Sequence, residues 1–154
     1  MTTVAERAVI SEAPAYEVWA RLHGACFDRP WTGKEFADLC GLPGIVGLTC
    51  SVEERPVGFL LVRQAADEAE VLTICVLPEA RRQGIARRLM ESLVSCLPDA
   101  EVLFLEVDAG NEAAVELYTR LGFDKVSVRK HYYHRADGTK ADALLLRLDL
   151  NGKV

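Results

Sequence analysis

Four arginines lie within eight residues of the chain, between a predicted strand and a predicted helix. The segment reads Arg81-Arg82-Gln83-Gly84-Ile85-Ala86-Arg87-Arg88. The first turn of a helix carries unpaired N–H groups and a partial positive charge, so this position suits a phosphate. Gly84 would let the backbone approach an anion closely, and the arginines could add charge-assisted contacts. The segment is a candidate anion site, or else a solvated basic helix face around an ordinary glycine.

The candidate anion site does not follow two common nucleotide-binding patterns. The sequence contains neither the G-x-G-x-x-G fingerprint of dinucleotide-binding folds nor the G-x-x-x-x-G-K-[ST] pattern of P-loops. An anion held at this segment would therefore be bound by a different arrangement of backbone and side chains.

Two other side chains could move protons. Glu106 lies near the end of the apolar run 102–107, where burial would prepare a carboxylate to accept a proton near neutral pH. The alternative is a glutamate at a strand edge that reaches water. Tyr118 lies on the apolar face of a predicted helix, and a phenol with a pKa of about 10 can donate a proton to a basic leaving group. The alternative is a core aromatic residue, and Asn111 before that helix is most simply an N-cap.

The remaining reactive residues give weaker signals. His131 and His134 have metal-ligand spacing, but they lie in a predicted strand without further ligands, so we predict no metal site. The five cysteines are Cys26, Cys40, Cys50, Cys75 and Cys96. Their odd number and the lack of a C-x-x-C pair predict reduced thiols, as in a cytosolic protein, rather than a disulfide framework. Cys75, in an apolar strand, is predicted to be a core thiol.

The elements that would position these residues follow from apolar periodicity, caps and turn residues. Strands are predicted at 5–10, 45–53, 56–65, 69–76, 101–107, 125–133 and 141–150, and helices at 13–23, 32–40, 84–97 and 111–121. Thr32 and Glu35 have the spacing of a capping box. The order predicts a mixed α/β (α+β) fold, with a mostly antiparallel, twisted sheet of about seven strands flanked by about four helices. One β-α-β unit is predicted at 69–107.

Composition limits the class of protein. The chain has 154 residues and a formal charge of −5, without a repeat or linker, so we predict a single domain over residues 1–154. The acidic balance argues against direct nucleic-acid binding, which needs a basic surface. No apolar run approaches the ~20 residues of a membrane span, and no signal peptide is evident. We therefore expect a cytoplasmic protein, and the oligomeric state stays open.

Together these residues resemble the GNAT N-acetyltransferase superfamily. Arg81-x-x-Gly84-x-Ala86, after a strand and before a helix, is similar to its acetyl-CoA signature, [QR]-x-x-G-x-[GA]. The run with Leu105-Glu106-Val107, Asn111, Leu117-Tyr118 and Leu121-Gly122-Phe123 resembles bacterial ribosomal-protein-alanine N-acetyltransferases. So does Arg129-Lys130-His131-Tyr132-Tyr133 with Asp137-Gly138, although His131 stands where an asparagine is familiar. The resemblance covers nearly the whole chain, best from about 69 to 148.

The resemblance implies the GNAT fold and direct acetyl transfer from acetyl-CoA to an amine, with no metal. Glu106 would be the general base and Tyr118 the general acid. The acceptor would be the N-terminal alanine of a small-subunit ribosomal protein. The residues expected to contact acetyl-CoA are Ile74, Cys75, Val76, Arg81, Arg82, Gln83, Gly84, Ile85, Ala86, Arg87 and Asn111.

Three alternatives stay open at the level of sequence. The same fold could acetylate a small-molecule amine or an internal lysine, or could bind acetyl-CoA without catalysis. A nucleotide-binding α/β module outside this superfamily is the third. A lysine has a pKa of about 10.4 and a peptide α-amine about 8, so lysine asks for about 3 kcal/mol more deprotonation. A single carboxylate base therefore favours an N-terminal amine.

Overall fold

A computed structural model describes residues 2–150, with the elements in the order expected of a mixed α/β fold. The helices are α1 (Val4–Arg7), α2 (Tyr16–Cys26), α3 (Gly33–Cys40), α4 (Ile85–Cys96) and α5 (Glu112–Arg120). The strands are β1 (Val9–Ser11), β2 (Ile45–Val52), β3 (Arg55–Ala65), β4 (Glu68–Val76), β5 (Val102–Asp108), β6 (Asp124–His134) and β7 (Lys140–Asp149). A 3-10 turn at Pro78–Ala80 precedes α4.

The strands form one sheet of seven, in the order β1-β2-β3-β4-β5-β7-β6. The pairs β1–β2, β2–β3, β5–β7 and β6–β7 are antiparallel. β4 and β5 are parallel, joined by a crossover through α4. The mostly antiparallel, seven-stranded sheet and the single β-α-β unit at 69–107 are thus confirmed.

The N-terminal segment corrects one prediction, since residues 5–10 do not form a single strand. Val4–Arg7 is a short helix, α1, whose N-cap Thr3 accepts a hydrogen bond from the Glu6 N–H at 3.1 Å. The chain becomes extended at Ala8, and only Val9–Ser11 pairs with β2. The local cap therefore prevails over the strand preference of the first half of this segment.

The chain divides into two compact units, and the first comprises the described residues up to Ala65 with Leu72–Pro98. Its core is aromatic around Trp19, whose ring stacks on Phe59 with centroids 5.7 Å apart. The Trp19 indole N–H donates to Thr49 Oγ1 at 2.8 Å, so the one polar atom of that side chain is satisfied inside the core. The apolar stripe of α4 is buried through Ile85, Leu89 and Leu93.

Within this unit, His23 links the loop before α3 to β4. Its Nδ1 accepts a hydrogen bond from the Trp31 N–H at 3.0 Å, and its Nε2 lies 3.3 Å from Thr73 Oγ1. Burial lowers the pKa of His23, which favours the neutral ring that this arrangement requires. Thr73, which precedes Ile74, is therefore fixed both by the contact of its side chain with His23 and by the backbone of β4.

The second unit comprises Ala66–Val71 and the described residues from Asp99 onward. Here the first residues of β4 pair with β5, from Glu68 opposite Val102 to Glu70 opposite Phe104. β5 continues to Asp108 and pairs with β7 along its whole length. β6 is the outer strand, exposed along its length except for the half-buried Tyr133.

Candidate active site

The segment between β4 and α4 has the geometry of an anion site. α4 begins after Gly84, whose φ of +83° is in the left-handed region and which provides no side-chain cap. The first hydrogen bond within the helix runs from the Arg88 N–H to the Gly84 carbonyl at 3.0 Å. The N–H groups of residues 85–87 therefore have no acceptor inside the helix. An uncapped first turn of this kind is able to bind a phosphate, and phosphate binding at this segment stays a prediction.

Two glycines in this region are required by conformation or space. At Gly84, an added Cβ would lie 3.1 Å from Ala5 Cβ, and the positive φ would strain any other residue. At Gly58 in β3, an added Cβ would lie 2.7 Å from the carbonyl oxygen of Cys75. β3 thus approaches the end of β4 closely, at residues that the resemblance predicts to contact acetyl-CoA.

The four arginines of this segment differ in their surroundings. Arg81 Nε donates to the Val76 carbonyl at 2.9 Å, which ties the predicted segment 81–87 to the predicted strand residues 74–76. Arg88 turns along the helix and donates to Ser92 Oγ at 2.6 Å. Arg82 and Arg87 are exposed, as Gln83 is. The side chains of Arg82 and Arg87 therefore lie in solvent, where they could contact a bound anion. Because Arg81 and Arg88 are hydrogen-bonded within the protein, residues 81–88 are not a uniformly solvated basic face.

Glu106 lies on β5 in the second unit and is neither fully buried nor open. Its side chain is 22% exposed, and Arg129 Nη2 lies 3.3 Å from its Oε1. The pKa of Tyr133 is raised to about 12. Burial is the largest cause, and the nearby negative charge of the Glu106 carboxylate is the next. The pairing of Glu106 with Arg129 was not predicted from the sequence, although Arg129 belongs to the family-like run that ends at Tyr133.

A bulge in β6 lies between Arg129 and Tyr133, the two neighbours of Glu106. The register between β6 and β7 shifts between Arg129 and Tyr133, and His131 has a φ of +54°. The Asp142 carboxylate holds the bulge, because it accepts a hydrogen bond from the His131 N–H at 3.0 Å and pairs with Lys130 at 3.2 Å. Such a bulge redirects side chains relative to the regular strand.

Tyr118 lies on α5 in the same unit as Glu106. It is 6% exposed, packs edge-on against Phe123, and burial raises its pKa to about 12. The Asn111 Oδ1 accepts from the Ala114 N–H at 3.2 Å, so Asn111 is the N-cap of this helix. A buried phenol with a raised pKa keeps its proton at neutral pH, as a proton donor must.

The described residues contain no group of three or more His, Cys, Asp or Glu side chains arranged to hold a metal ion. His131 and His134 are exposed on β6. Within residues 2–150, no helix combines the length and the apolar character needed to cross a membrane.

Comparison with known proteins identifies the family and agrees with the fold. The acetyltransferase (GNAT) family matches residues 16–123. The ribosomal protein bS18-alanine N-acetyltransferase of Escherichia coli K12 is 32% identical over 153 residues, which cover 98% of this chain and 99% of that protein. The N-alpha-acetyltransferase of Saccharolobus solfataricus is 40% identical over 90 residues, covering 54% of this chain and 53% of that protein.

Solved structures share the whole architecture. The E. coli ribosomal-protein-S18-alanine N-acetyltransferase has a TM-score of 0.86 at 28% identity, covering 96% of both chains. Arabidopsis thaliana NAA60 in complex with acetyl-CoA has the same fold, with a TM-score of 0.77 at 21% identity over 94% of this chain and 99% of that chain. The fold and the sequence therefore define an N-acetyltransferase that takes its acetyl group from acetyl-CoA. The chain belongs to the acetyltransferase (GNAT) family.

Proposed function

We propose that this enzyme acetylates the α-amine of a protein N-terminus, and that its acceptor is the N-terminal alanine of a small-subunit ribosomal protein. The observation that carries the proposal is the end-to-end match to the E. coli bS18-alanine enzyme, which extends over 98% of one chain and 99% of the other. The match includes β6 and β7, which lie beyond the 16–123 segment common to the family. Residues 1–154 would act as one catalytic domain.

The donor side of the proposal rests on the segment between β4 and α4. The uncapped N–H groups of residues 85–87, the left-handed Gly84 and the exposed side chains around it fit the pyrophosphate of acetyl-CoA. Backbone groups of Ile74, Cys75 and Val76 would meet the pantetheine arm. Arg81, which bonds the Val76 carbonyl, would keep the two segments in a fixed relation. Asn111 caps α5, and its contact with acetyl-CoA stays a prediction.

The chemical step needs two proton transfers. The amine nitrogen attacks the acetyl carbonyl carbon, the C–N bond forms, and the C–S bond breaks to release the thiolate of coenzyme A. Glu106 would take the proton that the nitrogen loses as the neutral amine adds to the carbonyl, directly or through a water molecule. Tyr118 would give its proton to the departing thiolate, and its pKa of about 12 ensures that this proton is present at neutral pH. No acyl-enzyme is required.

Arg129 has a positioning role in this proposal. The guanidinium lies 3.3 Å from Glu106 Oε1, and Asp142 fixes the bulge in β6 that begins after Arg129. An ion pair of this kind restricts the carboxylate to fewer rotamers through its Oε1 atom. The exposed fraction of Arg129, 58%, limits the strength of the pair because solvent screens it.

The acceptor is tested with peptides and the purified enzyme. Peptides that begin with alanine are incubated with acetyl-CoA, beside the same peptides with a blocked N-terminus and an internal lysine, and beside polyamines. We expect release of free thiol and a single acetyl group on the α-amine of the unblocked peptides. Faster turnover on the blocked lysine peptides or on the polyamines would contradict the proposed α-amine acceptor and would identify a lysine or a polyamine in its place. Binding of acetyl-CoA without turnover on any amine would mean a non-catalytic module.

The ribosomal acceptor is tested in cells of the source organism. Mass spectrometry of intact ribosomal proteins is compared between a strain with the gene and a strain without it. We expect one small-subunit protein to lose one N-terminal acetyl group in the deletion strain. An unchanged set of small-subunit proteins would contradict a ribosomal acceptor, while the peptide assay would still report on acetylation of α-amines.

A further inference from the structure

Two cysteine sulfur atoms lie almost in bonding distance within the first unit. Cys26 is the last residue of α2, and Cys75 is the second-last residue of β4. Their Sγ atoms are 2.7 Å apart. All five cysteines of the chain lie in the described part and are free thiols, and this pair is half-buried at Cys26 and buried at Cys75.

Hydrogen bonds fix both thiols in this arrangement. Cys75 Sγ donates to the Leu22 carbonyl at 3.1 Å, one turn before the end of α2. Cys26 Sγ donates to the Val76 carbonyl at 3.5 Å, which is also the acceptor for Arg81. A disulfide bond is about 2.0 Å long, so the sulfur atoms need to approach by about 0.7 Å. The two elements are therefore already placed for a bond between these residues.

We propose that Cys26 and Cys75 are a redox site, which forms an intramolecular disulfide by exchange with a small disulfide such as oxidised glutathione. This inference does not rest on the proposed acceptor or on the proposed catalytic residues. Cys75 is a buried core thiol, as the sequence predicts, but the sequence does not show that a second thiol about 50 residues away is its neighbour.

The exposure of the two thiols assigns the order of the steps. The Cys26 thiolate attacks the small disulfide, and one glutathione thiolate leaves, which gives a mixed disulfide at Cys26. Cys75 then loses its proton to solvent, its sulfur attacks Cys26 Sγ, and the second glutathione thiolate leaves. Both cysteines are oxidised by one electron each, and the small disulfide is reduced by two electrons. Burial raises the pKa of Cys75, which slows the second step, and the short distance between the sulfur atoms assists it.

The bond would have a structural consequence within the first unit. Both S–H donors are lost from the Leu22 and Val76 carbonyls, and α2 becomes covalently joined to β4. The cross-link closes a loop of about 50 residues, which reduces the entropy of the unfolded chain. The oxidised protein should therefore melt about 5–10 °C above the reduced protein.

The experiment equilibrates the reduced, full-length protein in buffers with different ratios of oxidised to reduced glutathione. Remaining thiols are alkylated, and the protein is digested and analysed by mass spectrometry. We expect a linked peptide pair that contains Cys26 and Cys75, loss of two thiols per chain, a higher melting temperature, and reversal by dithiothreitol. A Cys26→Ser variant should lose all four responses. A Cys40→Ser variant is the matched control, since Cys40 is the half-buried last residue of α3, and it should behave like the wild type.

Three results would overturn the proposal. They are oxidation that stops at a glutathione adduct on Cys26, a disulfide between two chains, and retention of both thiols until the protein unfolds. Each of these is read from the wild-type protein, so the conclusion does not depend on whether a variant folds. Acetyl transfer is not a readout here, so failure of the redox site and failure of the proposed function remain separate.

Discussion

Two helices of this molecule begin in opposite ways. At α4, Gly84 is left-handed, offers no side chain, and leaves the first-turn N–H groups uncapped. At α5, the Asn111 side chain accepts from the Ala114 N–H, so the first turn is satisfied from within the protein. The first kind of helix start acts through its backbone and can receive a phosphate, and the second supports the helix that carries Tyr118.

The two units that contain these helices differ in the same way, since one is proposed to act through its backbone and the other through side chains. In the first unit the proposed contacts with acetyl-CoA use the backbone of two segments, so one side chain contributes little by itself. In the second unit the proposed chemistry depends on single side chains, Glu106 and Tyr118. Substitutions should therefore affect affinity for acetyl-CoA in one unit and turnover in the other.

The largest effect is expected for Glu106→Gln. The amide keeps the shape of the side chain but cannot accept the proton that the amine nitrogen loses, so kcat should fall by about 10²–10⁴-fold. Affinity for acetyl-CoA, measured by calorimetry, should stay unchanged. Glu112→Gln, an exposed carboxylate in the same unit, is the control and should keep wild-type turnover. A parallel loss of acetyl-CoA binding in the Glu106 variant would make this residue structural.

Tyr118→Phe should have the next largest effect. Loss of the phenol proton donor should lower kcat by about 10²-fold, with acetyl-CoA affinity retained. Because the pKa of Tyr118 is about 12, the phenol is protonated throughout an assay from pH 6 to about 9, and the variant should lose the same factor at every pH in that range. Tyr132→Phe removes an exposed hydroxyl from β6 and serves as the control. A loss that grows or vanishes across this pH range would contradict the assigned role.

A pair of glycine variants tests the backbone site of the first unit. Gly84 and Gly138 have φ values of +83° and +85°, so alanine at either position should cost about 1 kcal/mol of stability. Only Gly84→Ala should also weaken acetyl-CoA binding, by about tenfold, because it alters the uncapped first turn of α4. Thermal unfolding and calorimetry separate the two effects. Equal acetyl-CoA affinity in the two variants would contradict a phosphate-binding site at the start of α4.

The part of this architecture that sequence could predict is the part that local chemistry determines. The Thr32–Glu35 capping box, the apolar stripe of α4 and Gly84 before it were predicted and are present. Thr3 and Glu6 have the same spacing as Thr32 and Glu35, yet α1 was missed. A helix of four residues has no apolar period, and the β-branched residues that follow it favour a strand.

The neighbours of the site residues could not be predicted, because they depend on distant parts of the chain. The pairing of Arg129 with Glu106 requires the bulge that Asp142 holds, and a bulge shifts register without a sequence period. The contact between Cys26 and Cys75 likewise follows from the packing of α2 against the end of β4. Residue types identified the candidate proton-transfer groups, and only the fold supplied the groups that position them.

The smallest effect is expected at Arg129, and it measures how far the second unit depends on side chains beyond the two that transfer protons. Arg129→Gln removes the charge that faces Glu106, and an exposed ion pair of this kind should change kcat by about two- to fivefold. Arg129→Lys should recover most of that loss. Arg120→Gln breaks another exposed ion pair of the same unit, with Glu116, and should leave kcat unchanged. If the Arg129 and Arg120 variants have the same kcat, Glu106 is positioned by β5 alone. Glu106 and Tyr118 would then be the two side chains on which turnover in the second unit depends.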